Sequence, residues 1–144
     1  MAEYRGFQFP RDLPLIMMAS IQVLRYTLDL WVLKKPLPKL LDKIEKRAGG
    51  LRRPPEEKEL ETLHKIWRAC GFFLCRCFRS HRPCLRRSLV LHAWARKRGI
   101  DTRFYLGVKK DASMLKGHAW LKLSGDPFRE SRENIREYKV MLEG

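Results

Sequence analysis

A cysteine and a histidine in the second half of this sequence have the types and the placement that nucleophilic catalysis requires. Cys84 follows a proline at the head of a run typical of an amphipathic helix, and His118 opens a run that alternates like a strand. The free N–H groups and the dipole of a helix N-terminus stabilise a thiolate, and an imidazole can serve as its base. The pair predicts a Cys84 nucleophile with His118 as its general base.

The other three histidines are predicted to pack in the core or to lie at the surface, as an isolated histidine usually does. They are His64, His81 and His92. His92 lies eight residues after Cys84 in the same predicted helix. That spacing is about 12 Å along the helix axis, which is too far for a hydrogen bond between the two side chains.

The cysteines offer a second kind of site, a zinc site, which their spacing disfavours. Such a site could draw on Cys70, Cys75, Cys77 and Cys84 with His64 or His81. The spacing C-x4-C-x-C-x6-C lacks the paired C-x2-C motifs of zinc sites. Cys70 and Cys77 fall on one helix face and are predicted to be core residues. We expect neither a metal nor a cofactor.

The elements that would position these residues follow from hydrophobic periodicity. Helices are predicted over residues 12–35, 38–47 and 56–79, and from Cys84 to a stop at Gly99. Strands are predicted over 102–110 and 117–125, with 137–142 as a further strand candidate. In the second strand, His118, Trp120 and Lys122 would share one face. Helices followed by strands predict an α+β fold.

Charge dominates the composition. The 144 residues include 31 Lys and Arg against 16 Asp and Glu, a net charge of +15 that attracts nucleic acid, anionic lipid and acidic peptides alike. No phosphate-binding loop or base-reading motif accompanies the charge, so nucleic acid is not an expected partner. The first helix leaves peripheral membrane contact open, although Arg25 and Asp29 disfavour a span. The polar N-terminus predicts a cytoplasmic protein whose cysteines are free thiols.

The block of residues 83–130 resembles the transglutaminase-like cysteine peptidases that remove leader peptides in lasso-peptide biosynthesis, in the stand-alone form of the maturation B-protein. The resemblance rests on "PCLRRSLVLHAWARKRGI", "LGV" and "HAWLKLSG" followed by an acid, in that order. It implies a papain-like or transglutaminase-like α+β core, in which the nucleophile helix packs on a small antiparallel sheet. Residues 1–55 would then form a helical N-terminal segment and 56–144 the peptidase core, within one compact unit.

The resemblance also assigns roles to individual residues. It implies that Cys84 is the nucleophile, that His118 is the general base and that a carboxylate orients the imidazole. The family places this carboxylate about twelve residues after the histidine, which is Glu130 here, and Asp126 is the alternative. Glu130 is preferred because residues 128–130 can extend beside the His118 strand, whereas Asp126 falls in the predicted turn.

The implied activity is removal of the leader from a ribosomally made lasso precursor by acyl transfer through the cysteine. The implied partners are the precursor peptide, a small leader-binding protein and an ATP-dependent lasso cyclase. Two alternatives stay open. A transamidase or deamidase would use the same triad. A basic module that binds nucleic acid or peptides without catalysis would leave the Cys84 and His118 segments unexplained.

Overall fold

Helices occupy the first two thirds of the chain and strands the last third in the computed structural model, which describes residues 11–77 and 84–144. The helices are α1 (Leu13–Thr27, continued by a π-helical turn over Leu28–Val32), α2 (Leu37–Ala48), α3 (Glu57–Cys77), α4 (Cys84–Lys97) and α5 (Arg132–Arg136). The strands are β1 (Thr102–Asp111), β2 (Met114–Leu123), β3 (Asp126–Pro127) and β4 (Lys139–Glu143). The α+β fold predicted from the sequence is confirmed.

The strands form one antiparallel sheet in the order β3-β2-β1-β4. The β1–β2 hairpin pairs from Thr102 opposite Leu123 to Asp111 opposite Met114, so only two residues form its turn. This turn is shorter than the six-residue break predicted between the strands, and β2 begins three residues earlier than residue 117. Pairing with β1 across the turn brings these residues into the strand although their own pattern favours a loop.

Helix α4 lies at the centre of the molecule. Eight of its 14 residues are buried, and it packs against α1, α2, α3 and both long strands. A helix buried on most sides is held by its neighbours rather than by its own propensity. The largest fully buried apolar side chains around it are Leu63, Ile66, Leu74, Leu89, Leu91, Ile100 and Phe104. The apolar core draws side chains from both predicted segments, 1–55 and 56–144.

At its C-terminal end, helix α4 is terminated by Gly99, as predicted. This residue has a positive φ of 74°, which glycine adopts without strain. The Gly99 N–H donates to the Arg96 carbonyl at 2.9 Å, and the Ile100 N–H donates to the Ala95 carbonyl at 3.0 Å. These two bonds form a Schellman motif, which turns the chain directly from α4 toward β1.

An ion pair with a fully buried guanidinium connects this end of α4 to α2. The Arg96 side chain is fully buried, and its Nε donates to Glu45 Oε1 at 2.8 Å. Its Nη1 donates to the carbonyls of Leu51 at 2.8 Å and Ile100 at 2.9 Å. Because these acceptors satisfy the guanidinium, Arg96 is a structural residue rather than a surface charge.

The outward face of α1 is apolar instead of charged. By length and composition the segment Leu13–Trp31 could cross a membrane, a test that core helices of soluble proteins also pass. Its exposed apolar side chains are Leu13, Met17, Ile21, Leu24, Leu28 and Trp31. Asp29 faces inward, where it accepts a hydrogen bond from Lys35 Nζ at 2.8 Å. The helix therefore buries an acid and exposes an apolar ridge, the reverse of the pattern of a surface helix.

Candidate active site

The structure brings Cys84, His118 and Glu130 together where the N-terminus of α4 meets β2. Cys84 is the first residue of α4 and is half-buried, and its thiol is hydrogen-bonded to the His118 side chain. On the other side of the ring, His118 Nε2 lies 2.6 Å from Glu130 Oε1. Because Nε2 is held by the carboxylate, Nδ1 is the ring nitrogen left for the thiol. The three side chains form a continuous hydrogen-bonded chain.

The short length of β3 explains why α4 can approach β2 at this point. On the β3 side of β2, the Phe128 N–H still donates to the Leu121 carbonyl at 2.9 Å. Ala119 lies two residues earlier in β2, and on this side no strand of the described residues pairs with it. There the Ala119 N–H donates to the Cys84 sulfur, and the Ala119 carbonyl accepts the Ser88 hydroxyl at 3.3 Å. Cys84 and Ser88 are one helical turn apart, so the first turn of α4 takes the place of a neighbouring strand.

Glu130 is the acid that is hydrogen-bonded to His118, and the alternative acid, Asp126, does not reach the histidine. Asp126 lies in β3 with its side chain 76% exposed, and it accepts a hydrogen bond from Arg132 Nη2 at 2.6 Å. It is not in the turn, which Ser124 and Gly125 form. The contact expected between Glu130 and His118 is therefore present, whereas Asp126 faces solvent.

The route by which Glu130 reaches His118 differs from the prediction. Residues 128–130 were expected to extend beside the His118 strand, and this is wrong, because the strand ends at Pro127. Phe128 turns into the core and packs against His64, with ring centroids 4.8 Å apart. Arg129 then adopts a positive φ of 54°. Burial of Phe128 pulls the chain off the sheet, and the bend returns Glu130 to the ring.

The electrostatics of the pair favour a thiolate and an imidazolium. Burial alone would raise the pKa of the Cys84 thiol, but the hydrogen bonds from His118 and from the Ala119 N–H, with the charges of His118 and Arg87, hold it below its ordinary value. The hydrogen bonds to Cys84 and Glu130 raise the pKa of His118 to about 9, against the opposing effect of burial. These contacts therefore make the thiolate of Cys84 more accessible than that of an ordinary cysteine.

Arg87 is a residue of the site that the sequence analysis missed. It follows Cys84 by three positions on α4, and its guanidinium lies 4.0 Å from the centroid of the Trp67 ring. Its charge acts on Cys84 and on Glu130. A Cβ at Gly71 of α3 would come within 3.3 Å of Arg87 Nη1, so the glycine leaves room for the guanidinium. The available sequence signal was a cation on the same helix face as the nucleophile.

Aromatic rings hold the His118 imidazole in place. Trp120, two residues along β2, stacks on it with ring centroids 5.9 Å apart, and Tyr138 lies 5.4 Å away. Gly107 stands opposite His118 in β1, and a Cβ there would lie 2.9 Å from both Trp120 and Tyr138. The glycine of "LGV" is thus required for the aromatic packing, which also favours a positively charged ring.

The other cysteines do not join the site. Cys70 is fully buried in the core, as predicted, and burial raises its pKa to about 12. Cys75 is exposed. The side chain of Cys77 lies outside the described part of the chain, as does residue Pro83. Among the residues that the structure describes, no three His, Cys, Asp or Glu side chains are arranged to hold a metal ion.

Of the remaining histidines, His64 and His92 have other surroundings. Arg129 Nη1 donates to His64 Nδ1 at 3.0 Å, and burial lowers the pKa of His64 to about 4, aided by the charges of Arg129 and Arg68. His92 is fully buried with both ring nitrogens unpaired among the described residues. His81 lies outside the described residues.

Comparison with known proteins identifies the family whose model covers this site. The family model of the transglutaminase-like superfamily matches residues 25–143, a span that contains all three residues of the hydrogen-bonded chain. No curated protein and no solved structure matches the chain significantly.

Proposed function

From the premise that this chain belongs to the transglutaminase-like superfamily, we propose that it is a cysteine peptidase that removes the leader from a ribosomally made lasso-peptide precursor. The superfamily suggests peptidase or transamidase chemistry through a cysteine. The proposal rests on the hydrogen-bonded series Cys84–His118–Glu130, in which the pKa of the Cys84 thiol is lowered. The resemblance of residues 83–130 to the lasso leader peptidases supports the choice of substrate.

In the first half of the proposed reaction, the Cys84 thiolate attacks the carbonyl carbon of the scissile peptide bond. The carbonyl electron pair moves onto oxygen, and the Cys84 backbone N–H at the start of α4 is one donor to that oxyanion. As the tetrahedral intermediate collapses, the His118 imidazolium gives its proton to the departing amine. The C–N bond breaks and a thioester to Cys84 remains.

In the second half, water releases the acyl group. Neutral His118 takes a proton from water, whose oxygen attacks the thioester carbonyl. Collapse of this intermediate frees the carboxylic acid product and restores the thiolate and the imidazolium. Glu130 holds Nε2 throughout, so Nδ1 stays directed at the reacting atoms.

The proposed partners are the precursor peptide, a small leader-binding protein and an ATP-dependent cyclase, and the proposed location is the cytoplasm. Delivery by a leader-binding protein would lower the entropic cost of bringing the scissile bond to Cys84. We therefore expect the isolated chain to cleave free precursor poorly and the leader-binding protein to raise the rate at limiting substrate.

A precursor encoded in a neighbouring reading frame provides the test. The chain is incubated with this peptide, with and without the neighbouring leader-binding protein, and the products are identified by mass spectrometry. Cleavage at a single bond that depends on Cys84 supports the proposal. An intact peptide that has gained the mass of a deamidation or a cross-link would instead indicate a deamidase or a transamidase. Cleavage that persists in Cys84→Ala would exclude the proposed site.

A further inference from the structure

A groove of about 540 Å³ opens between α1, α2 and α4, beside Trp94 and thus away from the Cys84 end of α4. Apolar side chains of all three helices line it, among them Met18, Ile44 and Val90. Its charged side chains are all cations, namely Arg25, Lys43, Arg47, Lys97 and Arg98. None of the carboxylates in the described part of the chain lines the groove. An apolar surface within a set of cations suits a ligand that carries both apolar and acidic groups.

Two cations of α2, Lys43 and Arg47, have no counter-ion among the described residues, because the acids of the same helix pair with other cations. Asp42 accepts from Lys46 at 2.7 Å, and Glu45 pairs with the buried Arg96. Lys43 and Arg47 are left one turn apart at the groove, with no carboxylate of the described residues within salt-bridge distance. Like charges at this spacing destabilise a helix, and an external anion would relieve the repulsion.

The groove also offers hydrogen-bonding groups suited to a peptide. Gln22 and Tyr26 lie one turn apart on α1, and both line it. An amide and a phenol can donate to and accept from the main chain of a bound segment. The groove can therefore contact the apolar side chains, the acidic side chains and the main chain of a bound peptide.

We propose that this groove is an exosite that binds an acidic segment with apolar side chains in the leader of the precursor. The inference rests on the proposed peptidase function and names the part of the substrate that the enzyme would recognise. Trp94 at the groove is ten residues along α4 from Cys84. This is roughly 15 Å, which an extended peptide spans in about five residues. The part of the segment that lies at Trp94 is thus about five residues from the scissile bond.

An anionic membrane is the rival occupant. The apolar ridge of α1 is exposed beside the groove, with Met17 at 56% and Ile21 at 60% exposure, and a lipid surface would cover it. A bilayer surface is flat, however, and would leave the apolar interior of the groove uncovered. A peptide segment can enter the concavity and meet the cations at its edges, which favours the peptide.

Binding is measured with the full chain carrying Cys84→Ala, so that no cleavage interferes. The probe is a synthetic 12-residue peptide of leucine and glutamate, titrated by calorimetry against its glutamine counterpart at low and at moderate salt. We expect the acidic peptide to bind at least about tenfold more tightly, with an advantage that shrinks as salt is added. Lys43→Glu combined with Arg47→Glu should weaken its binding by at least about tenfold.

The matched control is Lys110→Glu combined with Lys139→Glu, which changes the net charge equally on exposed strand positions remote from the groove. This control should keep the affinity within about twofold. Equal binding of the two peptides, no binding of the acidic one, or an equal loss in the control would overturn the exosite. So would binding to vesicles of anionic lipid that Lys43→Glu with Arg47→Glu abolishes and the peptide does not displace. Because cleavage is not measured, failure here is distinct from failure of the peptidase proposal.

Discussion

The surroundings of α4 affect two ionisable side chains in opposite ways: they stabilise the charged form of Cys84 and the neutral form of His92. At the N-terminal end, hydrogen bonds offset burial, and the pKa of Cys84 lies below its ordinary value. Toward the C-terminal end, burial lowers the pKa of His92 to about 4, so its ring is neutral at physiological pH. Both groups lie on the same helix and both are removed from water, so burial alone does not explain the difference.

The difference lies in what each group contacts. The Cys84 sulfur receives hydrogen bonds from His118 and from the Ala119 N–H, which stabilise its charged form. The ring of His92 has no hydrogen-bond partner among the described residues, and the nearest acid, Glu45, is already bound to Arg96 at 2.8 Å. A desolvated group is reactive only where its neighbours compensate the charge that the reaction needs.

The largest expected effect is the loss of catalytic activity when Cys84, but not His92, is replaced. Cys84→Ala should lower kcat/KM for precursor cleavage by about 10⁴-fold or more, because the nucleophile is lost. His92→Leu should keep kcat/KM within about threefold, since a leucine of similar size fills the same apolar site. Initial rates are measured by mass spectrometry, after circular dichroism shows that both variants are folded. A comparable loss in folded His92→Leu would contradict the contrast between the two ends.

The next largest expected effect is the difference in turnover between variants of the two acids that follow β2, Glu130 and Asp126. Glu130→Gln should lower turnover by about 10² to 10⁴-fold, because the carboxylate that holds His118 and stabilises its charged form is removed. Asp126→Asn should stay within about twofold, since this carboxylate is exposed and pairs only with Arg132. Full activity of Glu130→Gln would reduce the site to a Cys84–His118 pair, and loss in Asp126→Asn alone would reverse the assignment.

Thiol labelling measures the reactivity of the cysteines directly. At pH 7, iodoacetamide should modify Cys84 about 100-fold faster than Cys70, because one pKa is lowered while the other is raised to about 12. Labelling of Cys84 should slow as its thiolate becomes protonated, at a lower pH than for an ordinary thiol. Glu130→Gln should move this transition to higher pH, because a less basic His118 stabilises the thiolate less. Equal labelling of Cys84 and Cys70 in the folded protein would count against the site.

The C-terminal end of α4 is expected to govern stability instead. Arg96→Met should lower the free energy of unfolding by about 3 kcal/mol, because Glu45 loses its buried partner and two carbonyls lose their donor. Adding Glu45→Leu should recover part of the loss. Urea denaturation with constant m-values checks both variants. A destabilisation below about 1 kcal/mol in Arg96→Met would show that the pair contributes little.

Local sequence patterns were sufficient for the four longer helices and for the placement of Cys84 and His118, whereas the short helix α5 was not predicted. The predicted helix over 38–47 lies within α2, Leu37–Ala48, and the stop at Gly99 matches the Schellman motif. The strand candidate at 137–142 overlaps β4. These features depend on periodicity and on residues with strong backbone preferences, which act within a few neighbours. The single helix over 12–35 instead continues beyond Thr27 as a π-helical turn, which its apolar periodicity does not distinguish.

Other parts of the site depended on contacts between distant segments. Ser88 is an unremarkable helix residue until β3 ends early and exposes the Ala119 carbonyl to it. Arg87 becomes part of the site because Gly71 and Trp67 of α3 accommodate its guanidinium. The spacing along α4 places Arg87 on the face of Cys84, but it does not show the contacts with α3 or the free carbonyl of Ala119.

By itself, then, the sequence determined the α+β class and the position of Cys84 at a helix start, and the register of the resembled family indicated Glu130 over Asp126 as the acid beside His118. Only the tertiary structure decided how Glu130 arrives there, because the bend after β3 follows from the burial of Phe128 against His64. It also decided the ionisation of the site, since the pKa of Cys84 depends on charges and N–H groups that α4 and β2 bring together. Side-chain pattern acts locally along the chain, whereas desolvation and charge act through space.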